Sequence, residues 1–300
     1  MGSMKLLMVM ISGIAVSAEE QDCSRLKEQP GWKRFSQGNQ DGILQAIFSL
    51  IGETNRWAVE FGFDYQGGSG HRGEQLIMHN SGLNTRLLRE HGWNVVFFDA
   101  IVNDTNVGIH KVILTEDNIV DSFHAALVPI EVDYVSIDVD SIDLWLLRAL
   151  LKEYRPRVIS VEYNRNFLSW MHITHIRDWH QWTRKSVYGA SAGAMNHIAK
   201  INGYKVVNIM PSGMDMFFVR QDVLQAHCIL HSIAQFDELA HMAGLGRRMH
   251  PTCDKQKDLP RLIDLDLELQ GKHEQARLKA LGEVTLLNHL NRSNPMCNNK

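Results

Sequence analysis

Between Trp57 and Tyr163, short apolar runs rich in Val, Ile and Phe alternate with segments of helical period, and few architectures accept that alternation. The strand-like runs are Trp57 to Gly62, Asn94 to Phe98, His110 to Leu114, Val132 to Val139 and Arg157 to Tyr163. Between them lie helical patterns from near Asn84, over Asp117 to Leu127 and over Asp143 to Tyr154. Crossovers of this kind are right-handed and make a parallel sheet. An amphipathic helix over Ser36 to Gly52 opens the unit, with Ile43, Leu44, Ile47, Phe48 and Ile51 on one face. A helix over Ser191 to Ile201 leads to strands Tyr204 to Ile209 and Met214 to Val219, close enough to form an antiparallel hairpin. The expectation is an α/β fold, a doubly wound, mostly parallel sheet of seven strands with the last one reversed. Its ligand crevice should lie beyond the carboxyl ends of the first and fourth strands.

The divisions expected along the chain are residues 1–18, 19–35, 36–220 for the α/β domain, and 221–300 for a helical C-terminal extension. Helical patterns in the extension cover Val223 to Ala243 and Lys272 to Leu290, while Leu265, Leu267 and Leu269 alternate with acids in a strand-like period. The whole chain carries 31 basic and 34 acidic residues, a formal charge of -3, which offers no electrostatic footprint for nucleic acid. Lys5, the apolar run Leu6 to Val16 and the small-residue ending at Ala18 have the form of a secretory signal, too short to span a membrane. That reading places the protein in the secretory pathway or outside the cell; an uncleaved buried helix would leave it in the cytoplasm. Cys23, Cys228, Cys253 and Cys297 have no zinc-ribbon spacing; disulfides and buried thiols both remain open.

The chemistry-bearing residues gather at strand ends. Glu60-Phe61-Gly62 closes the first strand and Asp99 the second, where a carboxylate can accept both hydroxyls of a ribose. Either acid can instead simply end a strand. The nicotinamide-binding pattern Gly-x-Gly-x-x-Gly is absent after Gly62. Asp138, Asp140 and Asp143 follow the fourth strand, and Glu162 and Asn164 the fifth; such oxygens suit a hard cation such as magnesium. Asp143 also suits a helix N-cap, and Asp138 a substrate-positioning role. The connection Trp170 to Trp182 holds three of the 15 histidines and three of the seven tryptophans. It is read either as a lid whose His172, His175 or His180 removes a proton, or as a segment packing its tryptophans on the sheet. His227 and His231 have the i, i+4 spacing of a metal pair and equally that of ordinary helix histidines.

Several segments together resemble the class I S-adenosylmethionine-dependent methyltransferases, and among them the FkbM-like group. They are Ser36-Gln37 with Gln40-Asp41-Gly42, Val59 to Gly62, Asn84-Thr85-Arg86 with Gly92-Trp93, Asp133 to Asp138, and Val161 to Asn164. Tyr188 to Ser191 and Phe217 to Arg220 extend the resemblance, which covers about residues 36–220. The chain departs from that pattern by an insertion, Tyr65 to Leu83, between the first strand and its helix. The resemblance implies a donor site built from Glu60, Gly62, Asp64, Asp99, Glu116 and Asn118, with Asp138 and a histidine of the connection as catalytic candidates. It implies methyl transfer to an oxygen or nitrogen of a small molecule or glycan, with no nucleic acid and no membrane span. The alternative is a secreted or lumenal binding or structural protein that keeps the fold without turnover.

Overall fold

The structure, a computed structural model, describes residues 26, 32–62, 72–78, 82–179, 187–210, 215–225, 236–243 and 259–290. The N-terminal signal-like segment, Asp64, His180, His227, His231 and the four cysteines lie outside the described residues.

The strands are β1 (Trp57–Phe61), β2 (Asn94–Asp99), β3 (Ile109–Lys111), β4 (Tyr134–Ile137), β5 (Val158–Glu162), β6 (Ile173–His175), β7 (Tyr204–Ile209), β8 (Asp215–Arg220) and β9 (Leu262–Asp264). Seven of them form one sheet in the order β3-β2-β1-β4-β5-β8-β7. Pairings among β1 to β5 are parallel, and β8 runs antiparallel to both β5 and β7. This is a doubly wound, mostly parallel Rossmann-like sheet, with the strand reversal that the short Pro211-Ser212-Gly213 segment predicts. The order changes direction between β1 and β4, so the crevice opens at their carboxyl ends.

Side chains on a strand alternate between faces. Val59, Phe61, Val96, Phe98, Val135, Ile137, Ile159 and Val161 pack against α4 (Ile119–Ala125), α5 (Asp143–Leu150) and α6 (Ala192–Ile201). Ala58, Val95, Phe97, Tyr134, Val158 and Phe217 belong to the cluster on the other face, with α1 (Gln40–Ile51), α2 (Glu74–Met78) and α3 (Arg86–Glu90). Both faces are covered, which is why the strands read as nearly continuous apolar runs. At the amino ends of the strands, buried Asp133 accepts the backbone N–H groups of Thr54, Asn55 and Arg56 and pairs with Arg157 at 2.7 Å. Burial pushes its carboxyl up, but the Arg157 and Thr54 hydrogen bonds outweigh this and hold it below its ordinary value.

Residues 221–300 were expected to extend the domain with helices, and α7 (Gln221–Gln225), α8 (Phe236–Met242), α9 (Leu265–Leu269) and α10 (His273–Leu290) are helical. The extension also supplies a strand: β9 pairs antiparallel with β6, inside the connection that follows β5. Ile173, Met171 and Phe167 thereby join Leu259, Leu262, Ala280 and Val284 in one apolar cluster. The alternating Leu265, Leu267 and Leu269 lie on α9, immediately after β9, and Asp264 caps that helix by accepting the N–H of Leu267.

The connection is also tied to α6 through Ser191. Its hydroxyl accepts the N–H groups of Ala194 and Ile173, each at 3.2 Å, and donates to the carbonyl of Met171. Ser191→Ala leaves two buried donors unmatched and is expected to cost about 2 kcal/mol. The urea midpoint followed by circular dichroism measures it, and an unchanged midpoint refutes it.

Candidate functional site

The carboxyl end of β1 turns at Gly62, whose φ is +70°. A Cβ there would lie 2.0 Å from the carbonyl oxygen of Asp138, the residue after β4. Glycine is therefore required by the neighbouring strand, whatever ligand approaches the loop. Asp138 begins an acidic loop in which Asp140 has φ +54°, an uncommon conformation for a residue other than glycine. Asp143 holds this loop: its two oxygens accept the N–H groups of Val139 at 2.7 Å and Ser141 at 2.9 Å. Asp143 is therefore not the N-cap, a position that Ile142 holds; as the first residue of α5 it braces the loop that precedes the helix.

Asp138, Asp140 and Glu162 converge from the ends of β4 and β5, with one carboxylate oxygen of each within 4.8 Å of the others. Burial, reinforced by the charge of Asp140, raises the Asp138 carboxyl well above its ordinary value. Burial and the charges of Asp138 and Asp140 do the same to Glu162, which shares a hydrogen bond with Asp140. Asp143 is pushed up to about 6, first by burial. This cluster therefore holds its protons to higher pH than solvated carboxylates do. One oxygen of Glu162, Oε2, is buried with no hydrogen-bond partner among the described residues. Asn164 does not join them: its Oδ1 accepts from the backbone and side chain of Asn166, and its Nδ2 donates to the carbonyl of Tyr188.

On the α1 and α3 face lies a second polar group, in which sequence reasoning singled out Glu60 as a site residue but missed Asp215 and the network joining them. Glu60 accepts the backbone N–H groups of Asn84 and Thr85, at 2.8 and 3.0 Å, and the Thr85 hydroxyl. Its two oxygens thus anchor the chain entering α3. Burial pushes its carboxyl up to about 7, against those hydrogen bonds and with help from the charge of Asp215. Asp215 accepts from Gln40 at 2.9 Å and Asn84 at 3.4 Å and is itself pushed up to about 6 by burial. Asn84 also donates to Ser136, which Ser160 joins at 3.2 Å. The available signal was parity: Glu60, Ser136 and Ser160 are polar positions on otherwise apolar strands, and the register sets Glu60 beside Ser136 and Ser136 beside Ser160.

At the end of β2, Asp99 Oδ1 accepts the N–H groups of Ile101 and Val102 and so shapes the turn, while its Oδ2 has no partner among the described residues. Glu116 is engaged by Arg177 and Arg148, and Asn118 bonds the backbone of Thr115 and Ile113. In the connection, His175 is buried in β6 with Nδ1 2.9 Å from the Ile176 carbonyl, and His172 faces Asp266 at 3.0 Å. Trp170 and Trp179 are 64% and 44% exposed, so these two tryptophans do not pack on the sheet. Elsewhere, a cleft of about 270 Å³ between α1 and α3 is lined by Leu44, Phe48, Leu87, Leu88 and Trp93 and contains none of the expected site residues.

No protein-family model matches the chain, and no curated protein matches it. Among solved structures, a protein of Burkholderia thailandensis described as an O-methyltransferase family protein is similar at 7% identity, with a TM-score of 0.31. The match covers 61% of this chain and 57% of that one, so the chain spans little more than half of its length. No helix of the described residues is long and apolar enough to cross a membrane.

Proposed function

We propose that the chain is an S-adenosylmethionine-dependent methyltransferase that acts on an oxygen, or a nitrogen, of a small molecule or glycan. The observation that carries this reading is that Gly62, Asp99 and the Asp138, Asp140 and Glu162 cluster all lie at the carboxyl ends of β1, β2, β4 and β5, the four strands centred on the switch in strand order. When bound, the donor supplies a methyl on a sulfonium: the acceptor forms a bond to that carbon, the sulfur keeps the electron pair of the broken bond, and the acceptor proton leaves.

Asp99 is suited to the donor's ribose through Oδ2, with its other oxygen fixed by the turn it makes. The acceptor proton is assigned to the carboxylate cluster, since a raised pKa makes Asp138 or Glu162 a stronger base once ionised. His175 is enclosed and His172 is already paired, which favours the carboxylates over these two histidines. The cluster's hard oxygens and the unpartnered Glu162 Oε2 also fit a magnesium-class ion held by Asp138, Asp140 and Glu162, which would orient the acceptor oxygen. The second reading, a binding protein without turnover, is favoured by one observation: Glu60 spends both oxygens on the start of α3.

Calorimetry with S-adenosylmethionine and its demethylated product tests the site. Asp99→Ala is expected to weaken donor binding by about 1 to 3 kcal/mol. Failure of the parent to bind, or an unchanged affinity in the variant, overturns the assignment. Donor binding without methyl transfer to any oxygen or nitrogen acceptor in a panel favours the second reading.

A further inference from the structure

We propose that His172, His197 and Asp266 form a binding site for a zinc-class divalent cation that pins the C-terminal extension to the α/β domain. The three ligands come from separate elements: His172 directly precedes β6, His197 lies on α6 and Asp266 on α9. One donor atom from each lies within 4.8 Å of the others. Nδ1 of His172 stands 3.0 Å from both oxygens of Asp266, and the rings of His172 and His197 are 5.2 Å apart between centroids. Tetrahedral zinc with bonds of about 2.0 to 2.1 Å sets neighbouring ligand atoms roughly 3.3 Å apart. The His172 and Asp266 pair already has nearly that spacing, and side-chain rotation brings in His197.

The backbone around the site is built for this proximity. Gly193 stands one helical turn before His197, and a Cβ there would meet the carbonyl oxygens of Ser169 and Met171 at 2.4 and 2.6 Å and His172 Cδ2 at 3.2 Å. The absent side chain lets the segment carrying His172 lie directly on α6. The backbone carbonyl of His172 accepts the N–H of Leu265 at 2.7 Å, which fixes α9 and its Asp266 alongside. Glu283 of α10 interacts electrostatically with His172, and its Oε2 is buried with no hydrogen-bond partner among the described residues, so a further negative charge adjoins the site.

Donor chemistry sets the class of ion. Two imidazoles and one carboxylate suit zinc and its borderline neighbours, whereas magnesium and calcium take oxygen ligands. The side chains of His172 and Asp266 are 30% and 41% exposed, so a fourth position opens to water. Binding requires neutral imidazoles, each presenting an unprotonated ring nitrogen to the ion. None of these residues belongs to the Asp138 cluster, so the proposal stands or falls apart from the methyltransferase reading.

The test uses the full chain, stripped with a chelator and titrated with zinc at pH 7.5 against a chromophoric competitor. One equivalent is expected to bind, at least 100-fold more weakly in His172→Ala/His197→Ala and more weakly in Asp266→Asn. Zinc should raise the melting temperature of the parent and leave that of the double variant unchanged; circular dichroism establishes that each variant is folded, with His197→Gln replacing the double variant if it is not. Cobalt in place of zinc should show ligand-field bands without a thiolate charge-transfer band. A parent that takes up no zinc, undiminished uptake in the folded variants, or a thiolate band that places the metal on cysteine overturns the proposal.

Discussion

Gly62→Ala is expected to lose at least about 4 kcal/mol of folding free energy and to be recovered mostly unfolded, whereas Gly92→Ala should cost only about 1 to 2 kcal/mol. Both glycines have positive φ, +70° and +82°. Around Gly92 nothing lies within 4 Å of an added Cβ, so the penalty there is that of the left-handed backbone alone. At Gly62 the same atom would sit 2.0 Å from a backbone oxygen of Asp138 and 3.2 Å from its carbonyl carbon, and neither can rotate aside. Relief would have to come from parting β1 and β4, the pair in the middle of the sheet. Urea unfolding of both variants measures the contrast; equal losses would refute the close approach at Gly62.

Stability should fall by at least about 3 kcal/mol between pH 5 and pH 8, an unusual direction for a protein with so many buried acids. Glu60 is raised from 4.5 to about 7, and Asp143 and Asp215 from 3.8 to about 6, in each case first by burial. Between pH 4 and pH 7 the folded chain therefore holds more protons than the unfolded one, and the unfolding free energy must decrease as pH rises. Each raised group contributes on the order of 3 kcal/mol, and Asp138 and Glu162 act in the same direction. Asp133 works oppositely: its lowered pKa gives stability that is complete above about pH 4 and is lost in stronger acid. The optimum should thus lie at about pH 4 or below, as read from urea midpoints across the range. Asp215→Asn keeps an oxygen for Gln40 and Asn84, removes one titration and relieves Glu60 of a neighbouring charge, so it should shrink the decline. A flat or rising profile would refute the raised acids.

The large sheet was legible because β1, β2, β4 and β5 are apolar runs bounded by turn residues, and the reversed strand follows a connection too short for a crossover; the edge strand β3 was expected over His110 to Leu114 and spans Ile109–Lys111, an Ile-His-Lys segment that is not an apolar run. The small sheet was not. Three residues at Ile173–His175 and three at Leu262–Asp264 carry no period of their own, and only their pairing across a long sequence interval makes them strands. The site was legible in position more than in detail. Asp138, Asp140 and Glu162 end adjacent strands and do converge, whereas Asn164, two residues beyond Glu162, turns into its own loop. Glu60 stood out by its spacing to Gly62, but its hydrogen bonds lead to Asn84 and Thr85, beyond an insertion whose path a linear motif does not encode. His172, His197 and Asp266 are too far apart in the sequence for any spacing rule to join them.

The pairing of β6 with β9 also sets an order of events during synthesis. A chain that has left the ribosome as far as Arg220 contains all seven strands of the large sheet, yet β6 is bridged on one edge only, to Ala190, until residues 262–264 emerge to pair with its other edge. Leu265 and Ala276, both fully buried in the main core, arrive later still. The growing polypeptide must carry that apolar surface uncovered until residues 259–290 are translated, which makes that stretch a latch on the fold and its synthesis a point at which chaperone protection would be needed.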